Sequence, residues 1–517
     1  MLFTSTDFML FFAIVFALYY VIPPKLQQLL QWRLLLLASG FFYYMTGAEN
    51  LIYIGITIVT TYVASLFIAK LQEKQSAFLK SHKQNPDSTL SKAEIKAYKS
   101  KNNTTRLLLL TACLLVNFGL LGIVKVSGLA VLGISFYIFR SMSYIIDLNR
   151  GKFTNQKDPF KFALFVSFFP LILQGPIARY DETAPALFGG NRFSFKKASF
   201  GFQRILWGVF KKMVIADRLS VALTPLFGEP DEYRGIYVLI AIFFYAITLY
   251  ADFTGGIDIT IGIGEALGIP IVENFNRPFL SRNIFEYWRR WHITMGRWFR
   301  EYLFYPLSVC KPMLKFGGFT RKYFGEFGKR LPVYIVTLVT WFSTGIWHGV
   351  SWNFVVWGLL NGIVIIISQE LEPLYKKFNS KFAFTQTRGY ACFEIFRTFW
   401  MMCFIRSYDC YEGVRTTFFA HISVFSDFRL GKFMADGLSG LGLDKYDYMV
   451  VAGGVFVLLI SSFIKSKIGE SVSVREWLSA KPMPLRFTVY GILLFGIIIF
   501  GVYGFGYDAG HFIYTRF

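Results

Sequence analysis

Apolar residues lie along this chain in long runs rather than in short amphipathic stripes, a pattern that predicts helices apolar on every side. A helix needs about 20 apolar residues to cross a bilayer. Stretches of that kind lie near 6–22, 33–47, 50–69, 106–125, 128–147, 160–176, 199–221, 235–252, 331–347, 352–369, 390–406, 448–464 and 485–504. Between 253 and 308 the pattern changes: Gly255, Gly256, Gly262, Gly264 and Gly268 precede a dense block of Trp and Arg. Such a stretch suits re-entrant or in-plane helices better than full spans. Irregular backbone at membrane depth survives only inside protein or along a cavity, so a functional site is expected there. The expected fold is an all-α polytopic membrane protein, a single integral-membrane domain over 1–517 with its catalytic core at 250–362.

The polar connections orient these helices. Residues 70–106 carry nine Lys/Arg against three acids and 276–330 carry twelve against three, so both are expected in the cytosol. The same holds for 370–389 and 465–481, each with four basic residues against two acids, whereas 407–447, with four basic residues and six acids, is expected outside. The 70–105 stretch, with a turn at Pro86 and Asp87, reads as a solvated cytoplasmic loop. Both chain ends are then expected outside the cell, including the tail from 505 to 517. The N-terminal apolar run from Phe8 to Val21 has no basic region before it and no small-residue cleavage pattern after it, so it reads as a retained first span.

Composition narrows the class. The chain has a net charge of +22 although only 17% of its residues are charged; 54% are hydrophobic and 19% aromatic. A soluble multidomain enzyme, collagen, a disordered chain and a disulfide scaffold are all excluded. Nucleic acid is not the expected partner either, because the cations cluster between apolar runs, where membrane orientation accounts for them. The five cysteines, Cys113, Cys310, Cys392, Cys403 and Cys410, have no metal-ligand spacing and read as small apolar fillers.

With five histidines in the chain, position is informative. His82 and His421 fall in polar connections and read as surface residues. His348, in Gly345-Ile-Trp347-His348-Gly349-Val-Ser-Trp352, sits in a very short connection between apolar runs. An ionisable residue there is a functional candidate, and an ordinary histidine pKa of about 6.5 suits proton transfer. His292 lies in Phe285-Glu-Tyr-Trp288-Arg289-Arg290-Trp-His292, where helical spacing would set Trp288 and His292 on one face. That surface is either an interfacial anchor or a cation-rich site for an anionic donor such as the phosphates of a coenzyme or a carrier-protein arm. Asp252 and Asp258 stand in an apolar Gly-rich stretch, where they could orient a histidine, bind a hydroxyl or pin helices together. No metal-ligand cluster, nucleophile elbow or P-loop is present, so neither a metal centre nor nucleotide hydrolysis is expected.

Several of these segments resemble one family. Asn274-Phe-Asn276-Arg277-Pro278-Phe-Leu-Ser281-Arg282-Asn283, Tyr287-Trp-Arg-Arg-Trp-His292, Trp298-Phe-Arg300-Glu-Tyr302 and Trp347-His348-Gly349 are similar to the membrane-bound O-acyltransferases. Upstream, Leu132-Gly-Ile-Ser135-Phe-Tyr137 and Gln174-Gly175-Pro176-Ile-Ala-Arg179 also resemble the family. The likeness is strongest to its bacterial alginate O-acetylation and teichoic-acid D-alanylation branch. Two features depart from that pattern: Gly255-Gly256-Ile257-Asp258 stands where Gly-Tyr-Ser-Asp is usual, and the Gly-Gly-Asn-Arg expected soon after Pro306 is missing.

The resemblance implies a ring of about 11–14 transmembrane helices around a central tunnel, with His348 as the key catalytic histidine and His292 as the second. Trp288, Arg289, Arg290, Asn276 and Arg282 would bind the donor, with Asp252, Asp258 and Trp347 in support. The ending Phe512-Ile-Tyr514-Thr-Arg-Phe517 resembles the acyl-carrying tail of the bacterial systems; Tyr514 would take the acyl group and Phe512 and Phe517 would flank it. His511 stands just before this motif.

The implied function is transfer of an acyl group, acetyl in the favoured case, from a cytosolic thioester such as acetyl-CoA, with no bound cofactor. The acyl group would pass to Tyr514 and then, through a secreted or membrane-anchored esterase-like (SGNH) acyltransferase, to a polysaccharide at the bacterial cell surface. The alternatives are D-alanyl transfer from a carrier protein to teichoic acid, and a polytopic exporter or scaffold without chemistry.

Overall fold

The computed structural model describes residues 2–84, 91–469 and 471–503. It is 80% helical, with no strand among the described residues. The chain divides into two compact units.

The first unit comprises Ser5–Ala198 and Gly264–Ile271. It contains α1 (Thr6–Val21), α2 (Gln27–Met45), α3 (Asn50–Gln84), α4 (Lys92–Ser127), α5 (Ile134–Asn149), α6 (Pro159–Ser167) and α7 (Tyr180–Phe188). The polar stretch read as a cytoplasmic loop is largely helical: α3 continues to Gln84, and α4 starts at a capping box in which Ser91 and Glu94 satisfy each other's backbone N–H. The apolar stretch 160–176 is not one helix. It stops at Ser167 and turns once more over Phe169–Leu171, because Pro170 has no N–H with which to continue. Phe8, Phe11, Phe42 and Phe169 form a ring cluster at this break, with Phe11 edge-on to Phe169 at 5.2 Å.

Among the described residues, the second unit comprises 2–4, 199–263, 272–469 and 471–503. Its helices are α8 (Phe195–Phe210), α9 (Asp217–Gly228), α10 (Ile236–Ala266), α11 (Ile284–Arg290), α12 (Ile293–Phe299), α13 (Tyr305–Ser308), α14 (Lys311–His348), α15 (Trp352–Lys381), α16 (Arg388–Arg406), α17 (Val414–Ser426), α18 (Leu430–Asp436), α19 (Lys445–Ile468), α20 (Val474–Ser479) and α21 (Met483–Phe500). A π-helical turn, Lys211–Ala216, joins α8 to α9. By length and composition α3, α4, α10, α15, α19 and α21 can each cross a membrane. The protein is therefore an all-α, multi-pass membrane protein.

The re-entrant reading of the glycine-rich stretch needs correction over its first part. Gly255, Gly256, Gly262 and Gly264 lie inside α10, one continuous helix of 31 residues. Gly255 and Gly262 let α8 approach: a Cβ on Gly255 would stand 2.9 Å from the Gly208 carbonyl oxygen, and one on Gly262 would stand 2.6 Å from that of Gly201. Irregular backbone begins only after Ala266, with Gly268 at φ 77°, and short helices follow.

The π-helical turn carries two buried lysines into this seam. Lys212 Nζ lies 2.8 Å from Asp252 and 2.6 Å from Asp217, while Lys211 Nζ reaches Asp258 at 2.5 Å and Thr254 at 2.7 Å. Arg204 closes the row on Asp258 at 2.8 Å. Among the readings open for Asp252 and Asp258, their geometry is that of helix pins.

Candidate active site

His348 ends α14, and the sequence around it makes the α14–α15 turn very tight. A Cβ on Gly345 would meet the Phe354 carbonyl oxygen, one on Gly358 the Trp341 carbonyl oxygen, and one on Gly349 the Phe354 ring. Glycine is thus required where the two helices touch, and His348 is held 5% exposed at their junction. Its ring packs edge-on against Trp347 at 4.7 Å and Trp357 at 4.8 Å.

His292 is fully buried and sits between α11 and α12 rather than within a helix. The expected face shared by Trp288 and His292 is absent, because α11 ends at Arg290 and His292 adopts φ 46°, in the left-handed region. Asn274 holds that conformation. Its carbonyl oxygen accepts from Ile293 N–H at 2.9 Å, and its Oδ1 accepts from Thr294 N–H and Oγ1, each at 2.9 Å. The Thr294 backbone donor fixes the amide orientation, so the His292 Nδ1 at 3.3 Å from the same Oδ1 carries the proton, and Nε2 is the basic nitrogen of the neutral ring. Burial, and after it the charge of Arg406, push the His292 imidazole down to about 3, which keeps it neutral at physiological pH.

Trp347 connects the two histidines: its indole lies 6.1 Å from the His292 ring and 4.7 Å from the His348 ring. Further indoles extend the wall. Trp288 packs 4.6 Å from Trp341 and 5.9 Å from Trp357, and its Nε1–H donates to Asn361 Oδ1 at 3.2 Å. Asn361, fully buried, in turn donates to the Trp357 carbonyl at 2.8 Å. Asp252 and Asp258 both serve the lysine row described above.

The residues expected at the donor divide between two places. Arg282 and Arg289 line a cavity of about 580 Å³ with Lys376, Arg397, Tyr375 and Tyr390, against the acids Glu372 and Glu394. Arg290 and Asn276 instead tie the loop together: Arg290 pairs with Glu286 at 2.5 Å, and its carbonyl accepts from Asn276 N–H at 2.9 Å. Tyr514, Phe512, Phe517 and His511 lie outside the described residues.

His421, read from the sequence as a surface residue, is half-buried between the Phe404 and Tyr408 rings, with Nε2 2.7 Å from Ser407 Oγ. The sequence gives no role to Asn361 or Arg406, and Asn274 enters it only as the first residue of a family motif. Asn353 and Asn361 stand two turns apart in the apolar first half of α15, a polar pair that signals a buried face.

A sequence profile of the membrane-bound O-acyltransferase family matches residues 78–321, which include His292 and its loop. That stretch of the chain is similar to the membrane-bound O-acyltransferase family. Among relatives, the Azotobacter vinelandii protein named Probable alginate O-acetylase AlgI is 34% identical over 259 residues, 50% of this chain and 48% of the relative. The peptidoglycan O-acetyltransferase of Helicobacter pylori is 34% identical over 220 residues, 42% of this chain and 39% of the relative. The teichoic acid D-alanyltransferase of Bacillus subtilis is 25% identical over 284 residues, 53% of this chain and 67% of the relative. The chain spans about half the length of the two O-acetylating relatives it matches, or somewhat less.

Proposed function

We propose that this protein is a membrane O-acyltransferase that takes an acetyl group from cytosolic acetyl-CoA and delivers it to Tyr514. From there a secreted or membrane-anchored acyltransferase of the esterase-like (SGNH) class would transfer it to a cell-surface polysaccharide. The observation that carries this reading is the convergence of His348 and His292 on one buried indole, Trp347. The family profile over 78–321 and the O-acetylating relatives support the reaction class.

In this reading His348 is the base. A phenol, with an ordinary pKa of about 10, needs one within hydrogen-bond reach. The Tyr514 oxygen attacks the thioester carbonyl as its proton passes to His348; the C–S bond then breaks, and the thiolate recovers the proton and leaves as the thiol. His292, neutral and anchored to Asn274, shapes the donor side of the site. The chain lies in the bacterial cell membrane with the N-terminus and the Tyr514 tail outside, so the acyl group crosses the membrane through the enzyme.

The cavity lined by Arg282 and Arg289 suits the phosphates of the donor. Arg289→Glu is expected to raise KM for acetyl-CoA by about tenfold or more with kcat little changed, the mark of lost donor binding. Equal KM in steady-state assays of wild type and variant would remove the cavity from the donor path.

The direct test is intact-protein mass spectrometry of the C-terminal peptide after incubation with labelled acetyl-CoA. Label on Tyr514 in wild type, absent in Tyr514→Phe and His348→Ala, is the expected result. The match to the Bacillus subtilis D-alanyltransferase favours a second reading, D-alanyl transfer from a carrier protein to teichoic acid. Label from a D-alanyl carrier thioester, with none from acetyl-CoA, would select it.

A further inference from the structure

The last side chain of α16, Arg406, is 6% exposed, and its Nε lies 3.2 Å from Asp409 Oδ2, one turn further on. The Asp409 side chain, 5% exposed, also accepts from the Cys410 thiol at 3.4 Å, and its charge acts on the Tyr245 hydroxyl. The Arg406 Cζ stands 5.1 Å from the Trp291 ring and 5.5 Å from the Trp357 ring. Those two indoles serve the two histidines: Trp357 packs edge-on to His348, and Trp291 immediately precedes His292 and stacks on Tyr287 at 5.7 Å.

A buried ion pair is a poor way to gain stability, since apolar residues of the same volume do as well or better. A planar guanidinium that stacks on indole faces is, however, a specific device that lysine does not reproduce. It fixes ring planes through its faces while its edge holds a carboxylate.

We propose that Arg406, locked by Asp409, is a positioning residue for acyl transfer: it orients Trp291 and Trp357 around the histidine pair and sets the local charge against which His348 takes up a proton. This rests on the acyl-transfer reading given above. Among the described residues, the ionisable groups in this cluster include Arg406 at the end of α16 with Asp409, Cys410 and Tyr411 just beyond it, Tyr245 and Tyr250 on α10, Tyr287 on α11, and His292 and His348 themselves. Each half of the pair therefore acts on histidine protonation with its own sign. A guanidinium without its carboxylate opposes an imidazolium; a carboxylate without its guanidinium favours one.

The test is acyl transfer from acetyl-CoA to Tyr514 by the purified full chain, measured against pH for Arg406→Lys, Arg406→Gln and Asp409→Asn and normalised to folded protein. Arg406→Lys keeps the charge but not the stacking surface: kcat is expected to fall about 10- to 100-fold, with the acid limb of the profile unmoved. Arg406→Gln is expected to move that limb to higher pH, and Asp409→Asn to lower pH. A purely structural pair would reduce the amount of folded protein without moving the limb in opposite directions. An unmoved limb in both variants, with kcat per folded enzyme retained, overturns the proposal. If wild type transfers no acyl group from acetyl-CoA, the acyl-transfer reading has failed instead. The proposal is then decided by histidine titration in ¹⁵N-histidine spectra of the same variants, where opposite shifts support it and none overturns it.

Discussion

Replacing His348 by alanine is expected to lower acyl transfer to Tyr514 about 10²- to 10⁴-fold, the usual worth of a positioned general base, while leaving the protein folded. The fold is insulated from this change because the α14 terminus does not depend on the imidazole. Gly349 N–H caps the helix by donating to the Gly345 carbonyl at 3.1 Å, and the α14–α15 contact is made by glycines. The ring contacts the variant loses include the edge-to-face pairs with Trp347 and Trp357 and the stack on Phe354 at 6.4 Å; such pairs are worth about 0.5–1.5 kcal/mol each. His292→Ala should show the reverse balance. It removes a fully buried ring whose Nδ1–H is held by Asn274, in a left-handed conformation that alanine disfavours. His292→Asn, which tolerates that conformation and keeps a short polar side chain, is expected to recover part of the lost stability. Mass-spectrometric rates of Tyr514 acylation, set beside thermal unfolding in detergent, separate the two histidines. Transfer by His348→Ala within tenfold of wild type would remove it as the base.

The hydropathy of this chain announces helices plainly, because a bilayer-spanning helix needs only one feature, an uninterrupted apolar run. It announces helix ends poorly. The run 160–176 breaks at Pro170, and α10 runs on through glycines that looked like an interruption. Glycine has two uses, close approach and left-handed backbone, and a single sequence does not distinguish them; Gly255 and Gly262 serve the first, Gly268 the second. The candidate site was legible where ionisable residues are rare. An ionisable residue between two apolar runs is costly, so His348 stood out and proved to be buried against indoles. Arg406 and Asn274 did not stand out, since each gains its meaning from a partner distant in sequence: Trp291 and Trp357 for the first, His292 for the second. The shared face expected for Trp288 and His292 failed for the same reason. The Asn274 hydrogen bonds hold a left-handed turn that helical periodicity alone would not predict.

The largest effect on stability is expected at Lys212, whose ammonium serves Asp252 at 2.8 Å and Asp217 at 2.6 Å, with all three side chains at most 8% exposed. Lys212→Met takes the shared cation from two buried carboxylates at once, and breaking a buried pair from one side costs about 3–5 kcal/mol. Asp252→Asn should cost less, because Lys212 keeps Asp217 and the amide oxygen can still accept a hydrogen bond. The triple variant Lys212→Met, Asp217→Leu, Asp252→Leu should regain much of the loss, as an apolar replacement of a buried ion network commonly does. Thermal unfolding in detergent gives these three numbers, and acylation per folded molecule tests what Asp252 is for. If it only pins α10 to the π-helical turn, Asp252→Asn retains near wild-type turnover once corrected for folded fraction. If it acts on the acyl-transfer step, turnover falls even where the protein is fully folded, and the helix-pin account is lost. The geometry favours the pin: Asp252 is 1% exposed and engaged by a lysine that the π-helical turn presents to it, and Gly208 and Gly255 bring the two backbones close enough for that lysine to reach.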